Sequence, residues 1–191
     1  MSFQDEKARS DRSYKLLLLF AMISMTMMFA GLTSAFVVSK SRADWLKDFQ
    51  LPTAFYFSTL TIIGCSVTFH LAKKAIQKDN HKKTMSLLLA TLVLGIAFVI
   101  LQFVGFGQIV ANGYYFTGSE SSITTTFLYI VTLVHLLHLA GGIISLLIII
   151  YNHFKQKYNS TQTIGIELGA MYWHFLDILW VYLFLFLYFF K

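Results

Sequence analysis

Residues 85–110 read MSLLLATLVLGIAFVILQFVGFGQIV, 26 consecutive positions without a charged side chain. A helix that crosses the hydrocarbon core of a bilayer needs about 20 mostly apolar residues. Only helices or closed barrels satisfy their backbone hydrogen bonds there, and this run lacks the period-2 alternation of a barrel strand, so it predicts a helix. Working outward, further runs of the same kind lie at residues 16–38, 54–72, 125–151 and 168–190. The expected fold is an all-α integral membrane protein, a five-transmembrane-helix bundle, with residues 1–191 forming a single membrane domain.

Composition leads to the same class. The chain is 57% hydrophobic and 13% charged, with one proline, which leaves no room for a separate soluble domain. The first residues mix Lys7, Arg9, Arg12 and Lys15 with Asp5, Glu6 and Asp11. The apolar run behind them exceeds the roughly 7–15 residues of a signal-peptide core, so it is expected to remain as the first helix. Cys65, the only cysteine, lies inside an apolar run. Neither a disulfide nor a thiolate-rich metal site can be built from it alone. The net charge of +6 comes from residues that flank the spans, where they meet lipid headgroups, so nucleic acid is not an expected partner.

Loops rich in lysine and arginine resist translocation. Eleven such residues fall on one side: Lys7, Arg9, Arg12 and Lys15 before the first span, Lys73, Lys74, Lys78, Lys82 and Lys83 in the second loop, and Lys155 and Lys157 in the fourth. Only Lys40, Arg42, Lys47 and Lys191 fall on the other. The expected orientation has the N-terminus in the cytoplasm and, with five spans, the C-terminus outside.

Most polar groups in the spans are single hydroxyls that can bond to carbonyls of their own helix. The exceptions are His70, His135, His138, His174 and Asp177, with Glu167 at the entry to the last span. Ionisable side chains at membrane depth mark an interior or a cavity, which makes each a site candidate. His135 and His138, at i and i+3, could offer imidazoles to a metal or haem iron, or serve as neutral, hydrogen-bonded members of a polar seam. A metal site would need three or four ligands, with only His174 and Asp177 left to complete it. Met22, Met25, Met27 and Met28 suit adaptable packing better than copper(I), since no cysteine or histidine shares their helix. Gly31, Ala35, Gly141 and Gly142 are expected at close helix approaches. Measured from the span midpoints at 1.5 Å per residue, Asp177 falls within about 3 Å in depth of His138 and Glu167 some 15 Å lower. A polar clasp between His138 and Asp177 is therefore expected.

Residues 165–180, GIELGAMYWHFLDILW, closely resemble the final-helix signature of haem-copper respiratory oxidase subunit III. Gly165, Glu167, Gly169, Ala170, Tyr172, Trp173, His174, Phe175, Asp177 and Trp180 each match that pattern. TLVHLLHLAGG at 132–142, LGIAFVILQ at 94–102 and LPTAFYFSTL at 51–60 are similar to earlier segments of the family, as are Ser24, Phe29, Gly31, Ala35 and Phe36. Two departures stand out. The first two helices of the seven-helix members are absent, as in shorter bacterial versions, and Met25 occupies the position where many members place an intramembrane glutamate.

The resemblance implies an accessory subunit in a multi-pass bacterial inner membrane, with no haem, copper or catalytic centre of its own. It implies oxidase subunits I and II as partners, bound phospholipid, support of proton uptake and turnover, and membership of a respiratory complex or supercomplex. Haems and copper would reside in the partner subunits, and the electron donor would be cytochrome c or, alternatively, a quinol. His135, His138, Glu167, His174 and Asp177 would form a structural polar seam, accompanied by Tyr172, Trp173 and Trp180. Two other classes remain open on the residues alone. A di-histidine membrane cytochrome b would use His135 or His138 with His174 as axial ligands. A small-solute transporter would show repeated halves or broken helices, and neither is visible.

Overall fold

In a computed structural model, the described residues are 3–46, 50–118, 121–160 and 162–190. Five helices carry the fold: α1 (Phe3–Val38), α2 (Thr53–Ile76), α3 (His81–Ala111), α4 (Ile123–Phe154) and α5 (Ile164–Phe190). Each is long and apolar enough to cross a membrane. Of the charges used for orientation, Lys47 and Lys191 lie outside the described residues.

Every helix is longer than its apolar run. The largest difference is in α1, which begins at Phe3 rather than near residue 16. Its polar first part contains neither proline nor glycine, so the backbone ladder continues beyond the apolar run, with most of its side chains exposed. Boundaries are set by local chemistry. Asn80 caps α3 by accepting from the Lys83 amide at 3.1 Å, and Ser122 and Thr125 form a reciprocal capping box at the start of α4. Pro52 precedes α2, where its missing N–H costs no helix bond. Gly113 adopts φ +82° just beyond α3, a left-handed conformation that glycine takes without steric cost.

α2 and α3 form the tightest pair, α4 packs beside α3, and α5 lies against α1, α2 and α4. α5 is the most enclosed helix and α1 the least. Many hydroxyls bond within their own helix as expected, such as Thr61 to the Phe57 carbonyl at 2.9 Å. Others join neighbours: Thr68 and Thr91 lie 2.8 Å apart, and Gln102 Nε2 donates to Ser58 Oγ at 3.0 Å. Such bonds hold α2 to α3 where lipid gives no hydrophobic drive for association.

The α2–α3 and α4–α5 loops are tied together by Asp79, whose Oδ1 accepts from the Ser160 amide at 2.7 Å. The Ser160 hydroxyl and amide hold the Asp79 carboxyl below the usual carboxylate range. A folded-state pKa lowered in this way supports the tie above the ordinary value, and the support is lost as pH falls through the lowered one. Hydrogen exchange should therefore show the Ser160 amide protected at neutral pH, with its protection factor collapsing only below the ordinary carboxylate range. Asp79→Ala should abolish that protection already at pH 7. Unchanged protection in this variant would refute the tie.

Candidate functional site around the last helix

α5 starts with small residues because its first turns run close to other elements. Gly165 abuts Tyr158, and Gly169 abuts Ile149 of α4 and Phe69 of α2. One turn on, Trp173 is fully buried. Its six-membered ring edge would lie 3.2 Å from a Cβ at Gly95 of α3 and 3.5 Å from one at Gly142 of α4. Trp180, also fully buried, donates from Nε1 to Thr59 Oγ1 of α2 at 3.1 Å. The Tyr172 hydroxyl donates to the His138 carbonyl at 3.0 Å. The three aromatics singled out from the sequence thus join α5 to its neighbours.

The five polar residues expected in one seam divide into three groups: Glu167 at one end, His174 and Asp177 beside Ser66 of α2, and His135 and His138 beside Phe29 of α1. At one end, Glu167 Oε2 meets Lys15 Nζ of α1 at 2.6 Å, and its Oε1 accepts from Thr163 at 2.7 Å. His174 turns towards α2, sharing a 2.7 Å hydrogen bond from Nδ1 to Ser66 Oγ, with its ring 6.2 Å from that of His70. His135 is enclosed by Phe29, Phe98 and Trp180, and neither ring nitrogen has a hydrogen-bond partner. His138 is half-buried beside Phe29.

The expected clasp between His138 and Asp177 does not form. His138 Nδ1–H donates to the Val134 carbonyl of its own helix at 2.8 Å, while Asp177, 4% exposed, lies against Cys65 and Ser66 of α2. The carboxylate faces Ser66 but meets hydrogen-bond geometry with no group. Asp177 is directed towards α2 and His138 back onto its own helix, so the two do not meet. Neither carboxyl oxygen makes a hydrogen bond that an amide would lose, so an uncharged side chain of the same shape costs little within the chain. Asp177→Asn should hold or raise the thermal midpoint of the purified chain in detergent. A fall of more than about 4 °C, roughly 1 kcal/mol or more for a chain of this size, would show that the carboxylate has a partner.

Two further expectations change. Gly31 does not mark a close approach, because a Cβ there would meet nothing within 4 Å; Gly142 does, as expected, and Gly95 and Gly105 are tight places the sequence did not single out. The methionines of α1 diverge, with Met27 70% exposed and Met25 half-buried. His153, not singled out from the sequence, is buried and donates from Nε2 to the His81 carbonyl at 3.0 Å. Its place near the end of an apolar run gave no signal of that bond. Among the described residues, no three His, Cys, Asp or Glu side chains converge as a metal site. The imidazoles that approach one another are His70 with His174 and His81 with His153, not the pairs a di-histidine cytochrome would use.

Long apolar helices packed around α5 define a multi-pass helical membrane protein. The family model for cytochrome c oxidase subunit III matches residues 7–191, and the chain belongs to that family. It is similar to cytochrome c oxidase subunit 3 of Aedes aegypti, 33% identical over 73% of this chain and 50% of that protein. The same-named protein of Spodoptera frugiperda is 33% identical over 73% of this chain and 89% of its own length. That of Pelomedusa subrufa is 30% identical over 75% and 51%. The chain spans about half the length of most of the curated relatives it matches.

Proposed function

We propose that this chain is an accessory, cofactor-free subunit III of a proton-pumping haem-copper terminal oxidase that takes electrons from cytochrome c. It sits in a bacterial inner membrane beside oxidase subunits I and II, with the N-terminus in the cytoplasm and with bound phospholipid. The observation that carries this reading is the family match over residues 7–191. The local chemistry supports it: Glu167, His138 and His174 are engaged by Lys15, Val134 and Ser66, which suits structural roles better than ligation. The charge bias of the loops supports the orientation.

The test is affinity purification of the tagged chain from its native membrane in mild detergent. The expected preparation contains a haem- and copper-bearing oxidase subunit, and the chain separated from it shows no Soret band. Haem retained at about one per separated chain would instead favour a bis-histidine cytochrome. Absence of any haem-bearing partner would reject the oxidase reading.

A further inference from the structure

Ser66, His70 and Lys73 of α2 are spaced four and three residues apart, so they form one polar stripe that ends in the last turn of the helix. On α5, His174 and Asp177 stand at i and i+3 and meet that stripe where the two helices pack together. Ser66 Oγ and His174 Nδ1 lie 2.7 Å apart. His70 is exposed, with its ring 6.2 Å from that of His174. Asp177, 4% exposed, faces Ser66, and neither of its carboxyl oxygens has a partner.

Exposure falls with depth along this row. At 1.5 Å per residue, His70 lies about 9 Å from the end of α2 at Ile76 and Ser66 about 15 Å, the middle of a bilayer core roughly 30 Å thick. Exposed His70, half-buried His174 and Ser66, and buried Asp177 thus lead inward from the lysine-bearing end of α2. A row that only held two helices together would end in a satisfied group, whereas this one ends in a carboxyl without a partner. Each member on the way can both give and take a proton: a hydroxyl donates and accepts, and an imidazole carries a proton on either nitrogen. Chains of Asp and His at membrane depth are how proton routes are built.

Other titratable groups on the helices packed against α5 are engaged elsewhere. The Cys65 thiol of α2 donates to the Thr91 carbonyl at 3.7 Å, His135 and His138 of α4 sit beside Phe29, and Lys15 of α1 is paired with Glu167.

We propose that His70, His174 and Ser66 form a proton relay to Asp177, which makes this carboxyl a proton-binding site inside the bundle. A proton from water reaches His70 and passes to His174 Nε2 across a gap bridged by a water molecule at the exposed face. His174 then releases its Nδ1 proton to Ser66 Oγ. The Ser66 hydroxyl proton moves to the Asp177 carboxylate once rotation of either side chain closes that step. Asp177 gains one proton for each taken from water, His174 and Ser66 end neutral, and the reverse sequence empties the site. The relay goes beyond the oxidase reading and stands or falls without it.

The test is infrared spectroscopy of the full chain in lipid nanodiscs. The acid form of Asp177 is identified by the carbonyl stretch that Asp177→Asn removes, and its deuteration is timed after transfer to heavy water. His70→Leu and His174→Phe should each slow that deuteration at least about tenfold, while Val67→Ala, exposed on α2 beside the stripe, should leave it unchanged. Circular dichroism checks that each variant is folded, and the exposed position of His70 keeps the test available if His174→Phe does not fold. Wild-type rates in both histidine variants, or equal slowing by Val67→Ala, overturn the relay. Slowing by His174→Phe alone overturns His70 as its entrance. A carbonyl stretch absent at every pH overturns proton binding at Asp177.

Discussion

Trp173→Ala should destabilise the bundle by about 3–5 kcal/mol, the range for emptying a large, fully enclosed aromatic site. The indole extends from α5 between Gly95 of α3 and Gly142 of α4, and its ring lies 6.1 Å from that of Phe69 on α2. One side chain therefore supplies packing to four of the five helices. In a bilayer the loss is mainly of dispersion contacts, because lipid tails are as apolar as the core. Trp173 Nε1 has no hydrogen-bond partner, so the indole acts by shape. Trp173→Phe should accordingly recover most of the loss. Equilibrium unfolding in mixed detergent micelles measures both variants. If phenylalanine were as damaging as alanine, an unseen bond to Nε1 would be the better explanation.

A second large effect is expected from adding one methyl group at Gly105. Its Cβ would lie 2.7 Å from Phe55 Cδ1, well inside van der Waals contact, and Phe55 is fully buried. The Phe55 ring also packs edge-on against Trp180 and Phe106, at 5.7 and 6.4 Å, so it has no free direction in which to yield. Gly105→Ala should cost about 1–3 kcal/mol as overpacking, despite the better helix propensity of alanine. Two residues on, a Cβ at Gly107 would meet nothing within 4 Å. There the same substitution should be neutral or stabilising by up to about 1 kcal/mol. Unfolding midpoints of the pair decide the matter: equal effects at the two positions would mean that α2 and α3 are not packed as closely as described.

The pairing of polar residues was less legible than the helices were. Depth can be counted along a helix: Glu167, ten residues before Asp177, lies in the first turn of α5, where Lys15 meets it. Direction around the helix axis cannot be counted in the same way. Asp177 faces α2 and His138 turns to its own Val134. His174 and His135, both in the family motifs, likewise face different neighbours.

By itself the sequence determined the number of helices, because a run of about 20 mostly apolar residues has no other stable arrangement in hydrocarbon than a helix or a barrel strand, and these runs lack a strand's alternation. It also determined the family, through residues 165–180 and their companions in earlier helices. The helical ends beyond the apolar runs depended on caps and on polar residues that hydropathy does not register. Only the tertiary structure decided which glycines are contact points. Gly31 and Gly105 are the same residue in similar apolar surroundings, yet one faces open space and the other a phenylalanine ring. That difference arises from the rotation of each helix about its axis, which is set by side-chain interlocking across the bundle and not by any property of the helix alone.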